Sequence, residues 1–419
     1  METLAPLSPS RRIDLVDSLR GFAIFGILLV NMSAFFKPSV EFIMLPSFGN
    51  STVEILSNGF IYFFFTGKFF VLFSLLFGFG FYVFLHKDKE VSKQNISLFR
   101  KRLFWLLIIA ILHIALIWEG DILFYYALFG FLLILFRKSS TKKIIIWMLV
   151  FLLIPIVFVG LISMMPQILA SNPEALQAME KGSMEQLAAT QDLVQRAYQA
   201  YNSGSYSEVI RMNIEQWLFL LSGIIIFYPT CMVMFLMGLL IGRSGFFART
   251  NEYEQQLKKV FWVSLPFGIL LNLGLLLALS NANPASLDFW AFIGRATGIL
   301  GGIVMMFTYV SGFILLYNRG KFAGLFSGFS AVGRMALTNY ISHSVIALLL
   351  FRSGFFGLFG ELEVWQGILL VLAIFSFQIS FSKWWLSKYR FGPLEWLWRT
   401  LTYGKVEALK VRASTEPIV

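Results

Sequence analysis

Apolar runs long enough to cross a bilayer recur along this chain, at 16–36, 57–85, 103–119, 121–136, 144–165, 215–241, 260–280, 291–317, 332–350 and 364–384. A helix rises about 1.5 Å per residue, so a hydrocarbon core about 30 Å thick takes roughly 20 residues to span. Lipid offers no hydrogen bonds to the backbone, and a segment whose N–H and C=O groups must pair internally becomes a helix. The expected fold is therefore all-α, a polytopic transmembrane helix bundle of about ten spans. The fourth run is short. The second is too long to stand upright, so its first part, to about Thr66, tilts or lies along the surface.

Composition excludes the soluble alternative. The chain is 58% hydrophobic and 14% charged, with a mean hydropathy of +0.74, whereas soluble domains sit near 45–50% and about 25%. The net charge of +11 would suggest nucleic acid as a partner in a soluble protein. Here the basic residues cluster between apolar runs, no nucleic-acid fold signature accompanies them, and the expected partner is membrane lipid. The single cysteine, Cys231, lies inside an apolar run and forms neither an intrachain disulfide nor a thiolate metal site. The first run carries Asp17 and Arg20 at its start and no small-residue cleavage site, so it is expected to be retained.

Charge also sets the expected sides. With the amino terminus in the cytoplasm, the inner segments hold Arg11 and Arg12; Lys87, Lys89, Lys93, Arg100, Lys101 and Arg102; Arg137, Lys138, Lys142 and Lys143; Arg243, Arg249, Lys258 and Lys259; Arg319 and Lys321; and Lys388, Arg390, Arg399, Lys405, Lys410 and Arg412. The outer segments are poor in Lys and Arg, as the positive-inside rule asks, so both termini are expected inside. The chain then divides into a five-helix half at 1–165, an outer helical segment at 166–214 and a second five-helix half with a cytoplasmic tail at 215–419. The outer segment is polar with a modest apolar stripe (Leu176, Leu187, Leu193, Val194), which suits a cap or a solvated linker. Gly294, Gly298 and Gly302, and Gly238 with Gly242, recur at four-residue spacing and are expected to let helix backbones approach.

Ionisable groups inside spans are costly and mark cavities, partners or pathways. His113 and His343 each lie about ten residues into a run, roughly 15 Å deep. A midplane histidine serves as general base, proton relay or packed hydrogen-bonded residue. A second layer holds Lys68, Glu119, Asp121 and Arg295, with Asn31 nearby, and suits either mutual ion pairs or a polar vestibule. A third layer holds Asp14, Asp17 and Arg20, spaced three apart on one helix face, with Arg334 and Asn339. Carboxylates at a helix start are stabilised by its dipole, whereas Arg20 suits a phosphate or carboxylate. There is no phosphate-binding loop, no dinucleotide fingerprint and no histidine pair at metal-ligand spacing, so no metal is expected.

The run from Arg12 through Asp17, Arg20 and Gly21 to Asn31 resembles the opening of the YeiB-like family of bacterial membrane proteins, a domain of unknown function. Matching stretches are Gly67-Lys68-Phe69 through Gly78; His113 through Gly120-Asp121-Ile122-Leu123 and Tyr126-Ala127-Leu128; Gly333-Arg334 through Asn339-Tyr340; and Gly392-Pro393-Leu394-Glu395-Trp396-Leu397-Trp398-Arg399. His343 departs from the glutamine expected there. The resemblance implies a multi-pass protein of the bacterial plasma membrane. The family's amino-terminal half is similar to heparan-alpha-glucosaminide N-acetyltransferase and related membrane acyltransferases, which implies acyl transfer from a cytoplasmic acyl-CoA to an acceptor across the bilayer. In the heparan enzyme the catalytic histidine lies between the first and second helices or near the second. This chain has none from 32 to 85, so in an acyl transfer either His113 takes over that role or the mechanism differs.

Two functions follow as expectations. In an acyltransferase, Arg20 and Arg334 hold the acyl-CoA phosphates and His113 deprotonates the acceptor. Asp121 and Glu119 orient that acceptor, and Lys68 or Arg295 balances their charge. Asp17, Asn31, Asn339 and His343 complete the candidate substrate contacts. In a transporter of a small molecule, the same layers are binding and proton-relay sites, which broken helices near the midplane would favour; Pro155, Pro229 and Pro266 are the available breakers. Homo-oligomer formation stays open.

Overall fold

The computed structural model describes residues 13–86, 92–283 and 288–410. Arg11, Arg12, Lys87, Lys89 and Arg412, used above to assign sides, lie outside the described residues. The architecture is all-α. The helices are α1 Asp14–Phe36, α2 Ser39–Met44, α3 Thr52–Phe64, α4 Phe69–Leu85, α5 Lys93–Leu116, α6 Leu123–Leu133, α7 Thr141–Ile168, α8 Pro173–Ser203 and α9 Tyr206–Leu221. They continue with α10 Ile224–Phe227, α11 Pro229–Ser244, α12 Glu254–Asn281, α13 Phe289–Asn318, α14 Ala323–Arg334, α15 Ala336–Phe351, α16 Val364–Lys388 and α17 Pro393–Tyr403.

Among the described residues six helical segments are long and apolar enough to cross a membrane: Asp14–Phe36, Thr52–Leu85, Thr141–Ile168, Thr250–Asn281, Phe289–Asn318 and Val364–Lys388. The pair α14 and α15 makes a seventh if its two arms, bent by 84°, count as one span. Among the described residues six or seven segments thus have full spanning length, where ten were expected. The expected sixth run is interrupted at Gly223 and again at Pro229, whose ring removes a backbone donor, leaving α9, α10 and α11 as separate pieces. The expected ninth run turns sharply at Met335. The fourth gives only the short Leu123–Phe136. Pro155 and Pro266, named as breakers, lie inside the continuous helices α7 and α12.

α1 is the central helix: 72% of its apolar window is buried, against 17% for α7 and 22% for α12. The large apolar side chains that α7 and α12 expose, such as Leu149, Leu161, Trp262 and Leu270, form the lipid-facing surface that a water-soluble protein would not tolerate. Around α1 the packing is close enough to require glycine. A Cβ on Gly333 of α14 would lie 1.8 Å from the Asp17 carbonyl oxygen, and one on Gly21 of α1 would lie 1.9 Å from the Phe329 carbonyl oxygen. The α4–α11 crossing is built the same way.

There, Gly238 faces the Leu75 carbonyl oxygen, which a Cβ would approach to 2.0 Å, and Gly242 faces the Tyr82 ring. Backbone cannot yield as a flexible side chain can. Gly238→Ala is therefore expected to part α4 from α11 at a cost of about 1–3 kcal/mol, the usual range for overpacking. Thermal unfolding in detergent checks this; an unchanged midpoint would show that the crossing has slack.

The segment 173–221 packs onto the end of the bundle where α1 finishes. α8 buries Leu193, Ala197 and Tyr201, and α9 buries Val209, Met212 and Gln216. α9 also completes the end of α5: Asn213 Nδ2 donates to the Ala115 carbonyl at 3.3 Å, and the Tyr206 hydroxyl donates to the Leu116 carbonyl. These carbonyls have no partner inside their own helix. α9 starts with a reciprocal cap in which Ser205 holds the Glu208 carboxyl below its ordinary pKa range.

Candidate functional site

The last turn of α5 places His113 where the chain stops being helical. Its carbonyl accepts from both Ile117 and Trp118 N–H at 2.9 Å, which closes the helix and turns the chain back. The indole of Trp118 folds over the turn so closely that a Cβ on Gly120 would lie 2.2 Å from the ring. Only glycine fits there, and the tight turn brings Asp121 back against the helix it follows.

Asp121 is fully engaged. Its Oδ1 accepts the Phe124 N–H at 2.8 Å and so caps α6, while its Oδ2 lies 2.7 Å from His113 Nδ1. A carboxylate only accepts, so the bridging proton belongs to Nδ1 and the lone pair to Nε2. Both side chains are 2% or less exposed, and His113 Nε2 has no hydrogen-bond partner among the described residues. A buried, orphaned nitrogen is costly to keep, and such groups cluster where chemistry is done. Tyr340 packs on the imidazole with ring centroids 5.9 Å apart, and its hydroxyl oxygen accepts the Ile122 N–H at 3.2 Å, leaving its own proton to donate.

Beside this turn lies a cavity of about 110 Å³. Gly120 and Ile122, either side of Asp121, line it together with Asn31, Gly67, Tyr228 and Tyr340. Three interruptions of the helical backbone meet here: the α5–α6 turn, the break between α3 and α4 at Gly67, and the break at Tyr228–Pro229. Gly67 has φ +82°, a conformation that side-chain-bearing residues avoid. Non-helical backbone at membrane depth is tolerated where it lines a cavity or is buried in protein. Asn31 thus falls on the cavity wall, and Arg295 sits on α13 one turn before Gly298, the neighbour of Gly67.

Glu119 and Lys68 do not serve each other. Lys68 is 1% exposed, and its Nζ donates to the Tyr62 carbonyl at 2.8 Å, answering the free carbonyl end of α3. The cation opposite Glu119 is Arg352, at 3.5 Å, with side-chain exposures of 3% and 0%. Ser39 Oγ and Gln216 Nε2 also donate to Glu119, at 2.8 and 3.3 Å, and the Arg352 guanidinium lies 3.4 Å over the Tyr201 ring. Among the described residues Glu119 thus ties α2 and α9 to Arg352, the residue that closes α15.

The remaining candidates divide by end. Near the start of α1, Arg20 Nη1 bonds Asp17 at 2.8 Å and the Arg20 side chain stays 29% exposed. Asp14 accepts from Ser330 and Tyr317, at 2.5 and 3.1 Å. Arg334 closes α14 at the bend. Asn339 stitches that bend, its Nδ2 donating to the Val332 carbonyl and to Ser382 Oγ, both at 3.1 Å. His343 meets Gln378 at 2.9 Å, and Gln378 in turn donates to Ser342 and to the Asn339 carbonyl. His113 and His343 therefore have different partners, and Asn339 and His343 hold α15 to α16.

Arg352, Tyr340, Gln216 and Gln378 were not singled out from the sequence. Tyr340 stands inside a recognised motif and Gln378 inside an apolar run, where a buried amide is itself a signal. Arg352 carried none, because it lies in a stretch read as an outer loop.

Comparison with known proteins places this geometry in a family. The family model "Protein of unknown function (DUF418)" matches residues 241–405. The chain is 32% identical to "Uncharacterized protein YxaH" of Bacillus subtilis, over 96% of this chain and 97% of that one. It is 30% identical to an "Uncharacterized 39.9 kDa protein in amylase 3'region" of Bacillus acidopullulyticus, over 96% of each. It is 28% identical to "Uncharacterized protein YeiB" of Escherichia coli, over 92% of this chain and 95% of that one. No solved structure matches. The chain belongs to the YeiB-like family of bacterial multi-pass membrane proteins that carry the DUF418 region.

Proposed function

We propose that this protein is a transmembrane acyltransferase that moves an acyl group from a cytoplasmic acyl-CoA to a hydroxyl or amine acceptor entering from the opposite side. The observation that carries this reading is the buried His113–Asp121 pair, its Nε2 without a hydrogen-bond partner among the described residues, at a turn whose Gly120 and Ile122 line a cavity where three helix breaks meet. In the proposed reaction the acceptor gives its proton to Nε2 while its oxygen or nitrogen attacks the thioester carbonyl. The acyl–sulfur bond breaks, and the proton on Nε2 passes to the leaving CoA thiolate. Asp121 keeps the imidazole in the reactive tautomer and stabilises the imidazolium. Asn31 on the cavity wall and the free Tyr340 O–H are assigned to the developing oxyanion.

The amino end of α1 faces the cytoplasm in this reading, as the distribution of basic residues requires. Arg20 and Arg334 then stand at the cytoplasmic mouth with the donor phosphates, both termini lie inside, and 166–214 covers the outer face between the halves 1–165 and 215–419. The test is acyl-CoA consumption by the purified protein in proteoliposomes, read as free thiol, across acetyl to long-chain donors. Thiol release above empty vesicles is expected. No release and no calorimetric binding of any donor would sink the proposal.

The convergence of helix breaks on one cavity favours a second reading, a carrier in which His113 relays protons. Substrate-dependent uptake into vesicles, lost on His113→Ala in the absence of any acyl transfer, would favour it over the first.

A further inference from the structure

α12 and α13 run antiparallel against each other, and glycines let them close. A Cβ on Gly268 would lie 3.3 Å from Met305, one on Gly274 3.1 Å from Thr297, and one on Gly312 3.1 Å from the Phe261 ring. Beside this contact a groove of about 370 Å³ lies between the two helices, lined by Lys259, Val263, Ser264 and Phe267 of α12 and by Val304 and Phe307 of α13. It is on the outside of the bundle: Val263 is 51% and Phe267 58% exposed. The wall is apolar except at one end. The Ser264 hydroxyl is paired with Thr308 Oγ1 at 2.7 Å, which leaves the Lys259 ammonium as the polar group that an occupant meets. Lys258 pairs with Glu254 at 2.7 Å, whereas Lys259 is exposed and makes no ion pair among the described residues.

The Lys259 end is the end where α1 begins. Thr250 Oγ1 donates to Asn318 Oδ1 at 3.2 Å, and the Tyr317 hydroxyl donates to Asp14 Oδ2 at 3.1 Å. These bonds gather the start of α12, the end of α13 and the start of α1, and Arg249, Lys258 and Arg319 flank them in sequence. From that end the groove descends along α12. Lys259 and Phe267 are eight positions apart, about 12 Å of helix. One leaflet of a hydrocarbon core about 30 Å thick is about 15 Å deep.

We propose that this groove holds one acyl chain of an anionic phospholipid, with the headgroup phosphate on Lys259. The size fits. An apolar cavity of about 150 Å³ takes a benzene, six carbons, so about 370 Å³ takes roughly fifteen, the order of one acyl chain. The polarity fits as well, with a cation at the mouth and hydrocarbon below it for nearly the depth of one leaflet. The positive-inside rule puts this end in the cytoplasm, whose leaflet carries the anionic lipid. A second copy of the chain fits less well. An axis along the membrane normal would set two Lys259 side chains at one depth across a shared groove, like charge against like. A lipid seated here bridges α12 to α13, the helix whose Gly302 abuts the Gly67 carbonyl at the cavity wall. Bound lipid therefore stabilises the frame around the candidate site, whether that site transfers or carries.

The experiment titrates the purified full-length protein in uncharged detergent with phosphatidylglycerol and with phosphatidylcholine of matched chains. Bound lipid is counted by native mass spectrometry, and thermal unfolding is followed in parallel. Wild type is compared with Lys259→Gln and with Val263→Trp, which fills the groove from an exposed position and leaves the core alone. Phosphatidylglycerol is expected to bind saturably and to raise the unfolding midpoint, more than phosphatidylcholine does. Lys259→Gln should weaken phosphatidylglycerol about fivefold, the effect of one basic residue at an anionic surface, and leave phosphatidylcholine unchanged. Val263→Trp should abolish the bound lipid while its midpoint without lipid stays that of wild type. Phosphatidylglycerol binding that neither variant alters would overturn the site. An equal response to both lipids would overturn the anionic assignment. A concentration-dependent dimer that Val263→Trp breaks, with no lipid response, would give the groove to a second copy and sink the proposal.

Discussion

Arg352→Met is expected to destabilise the protein by about 3–5 kcal/mol, the cost of leaving a buried carboxylate without its cation. Glu119 is fully buried, and its one ion-pair partner among the described residues is Arg352 at 3.5 Å. Ser39 and Gln216 donate to Glu119 but carry no charge. Removing the cation also strips the face of Tyr201, over which the guanidinium lies at 3.4 Å, and the face of Phe359, over which it lies at 4.8 Å. Arg352→Lys restores charge but neither the planar stack nor the fork, so it is expected to recover only part of the loss. The informative partner is the double variant Arg352→Met with Glu119→Gln. With both charges gone no uncompensated ion remains, and most of the stability is expected to return. A double-mutant cycle on thermal or denaturant unfolding in detergent measures this. A double variant as unstable as the sum of the singles would mean that the residues act through separate neighbours. Because Ser353 N–H also bonds the Tyr201 carbonyl at 2.8 Å, the single variant should further show faster proteolysis within α8.

The helices were legible because membrane spans are a problem of length and polarity, which a sequence displays directly. The glycine spacings were legible for a similar reason: Gly238 and Gly302 meet the backbone of Leu75 and Gly67. What sequence reading does not show is a break with no breaker. The 84° turn between α14 and α15 falls in Gly333-Arg334-Met335-Ala336, which contains no proline, and it is held by Asn339 and by Glu395 from far along the chain. Counting residues along each run sets His113 and Asp121 in different layers, whereas the turn at Gly120 brings their side chains within 2.7 Å. Long-range pairs such as Glu119 with Arg352 follow from which helix ends meet, and no local pattern encodes that. Lys68 looked like a counter-ion because it is charged and buried. Its partner is a backbone carbonyl, the group that a broken helix leaves free.

The pair at the centre of the proposal predicts two different defects. His113→Ala removes the base itself and is expected to lower acyl transfer by about 10²- to 10⁴-fold, the usual contribution of a positioned general base. The donor should still bind, since its phosphates are assigned to Arg20 on α1 and Arg334 on α14 and not to His113. Asp121→Asn leaves the imidazole in place but changes what faces it. An amide presents N–H as readily as C=O, so Nδ1 becomes free to accept, and the tautomer with the proton on Nε2 competes. In that tautomer His113 has no lone pair where the acceptor arrives. The expected outcome is a loss in kcat approaching that of His113→Ala with donor affinity unchanged. Asp121 also caps α6 through Oδ1, at 2.8 Å from the Phe124 N–H, a bond the asparagine carbonyl oxygen keeps. Unfolding midpoints of wild type and Asp121→Asn should therefore lie close together. The double variant decides whether the two residues act as a unit. Coupled residues give a double variant no slower than His113→Ala alone, whereas independent contributions multiply. A multiplied loss would place Asp121 on the acceptor and away from the histidine.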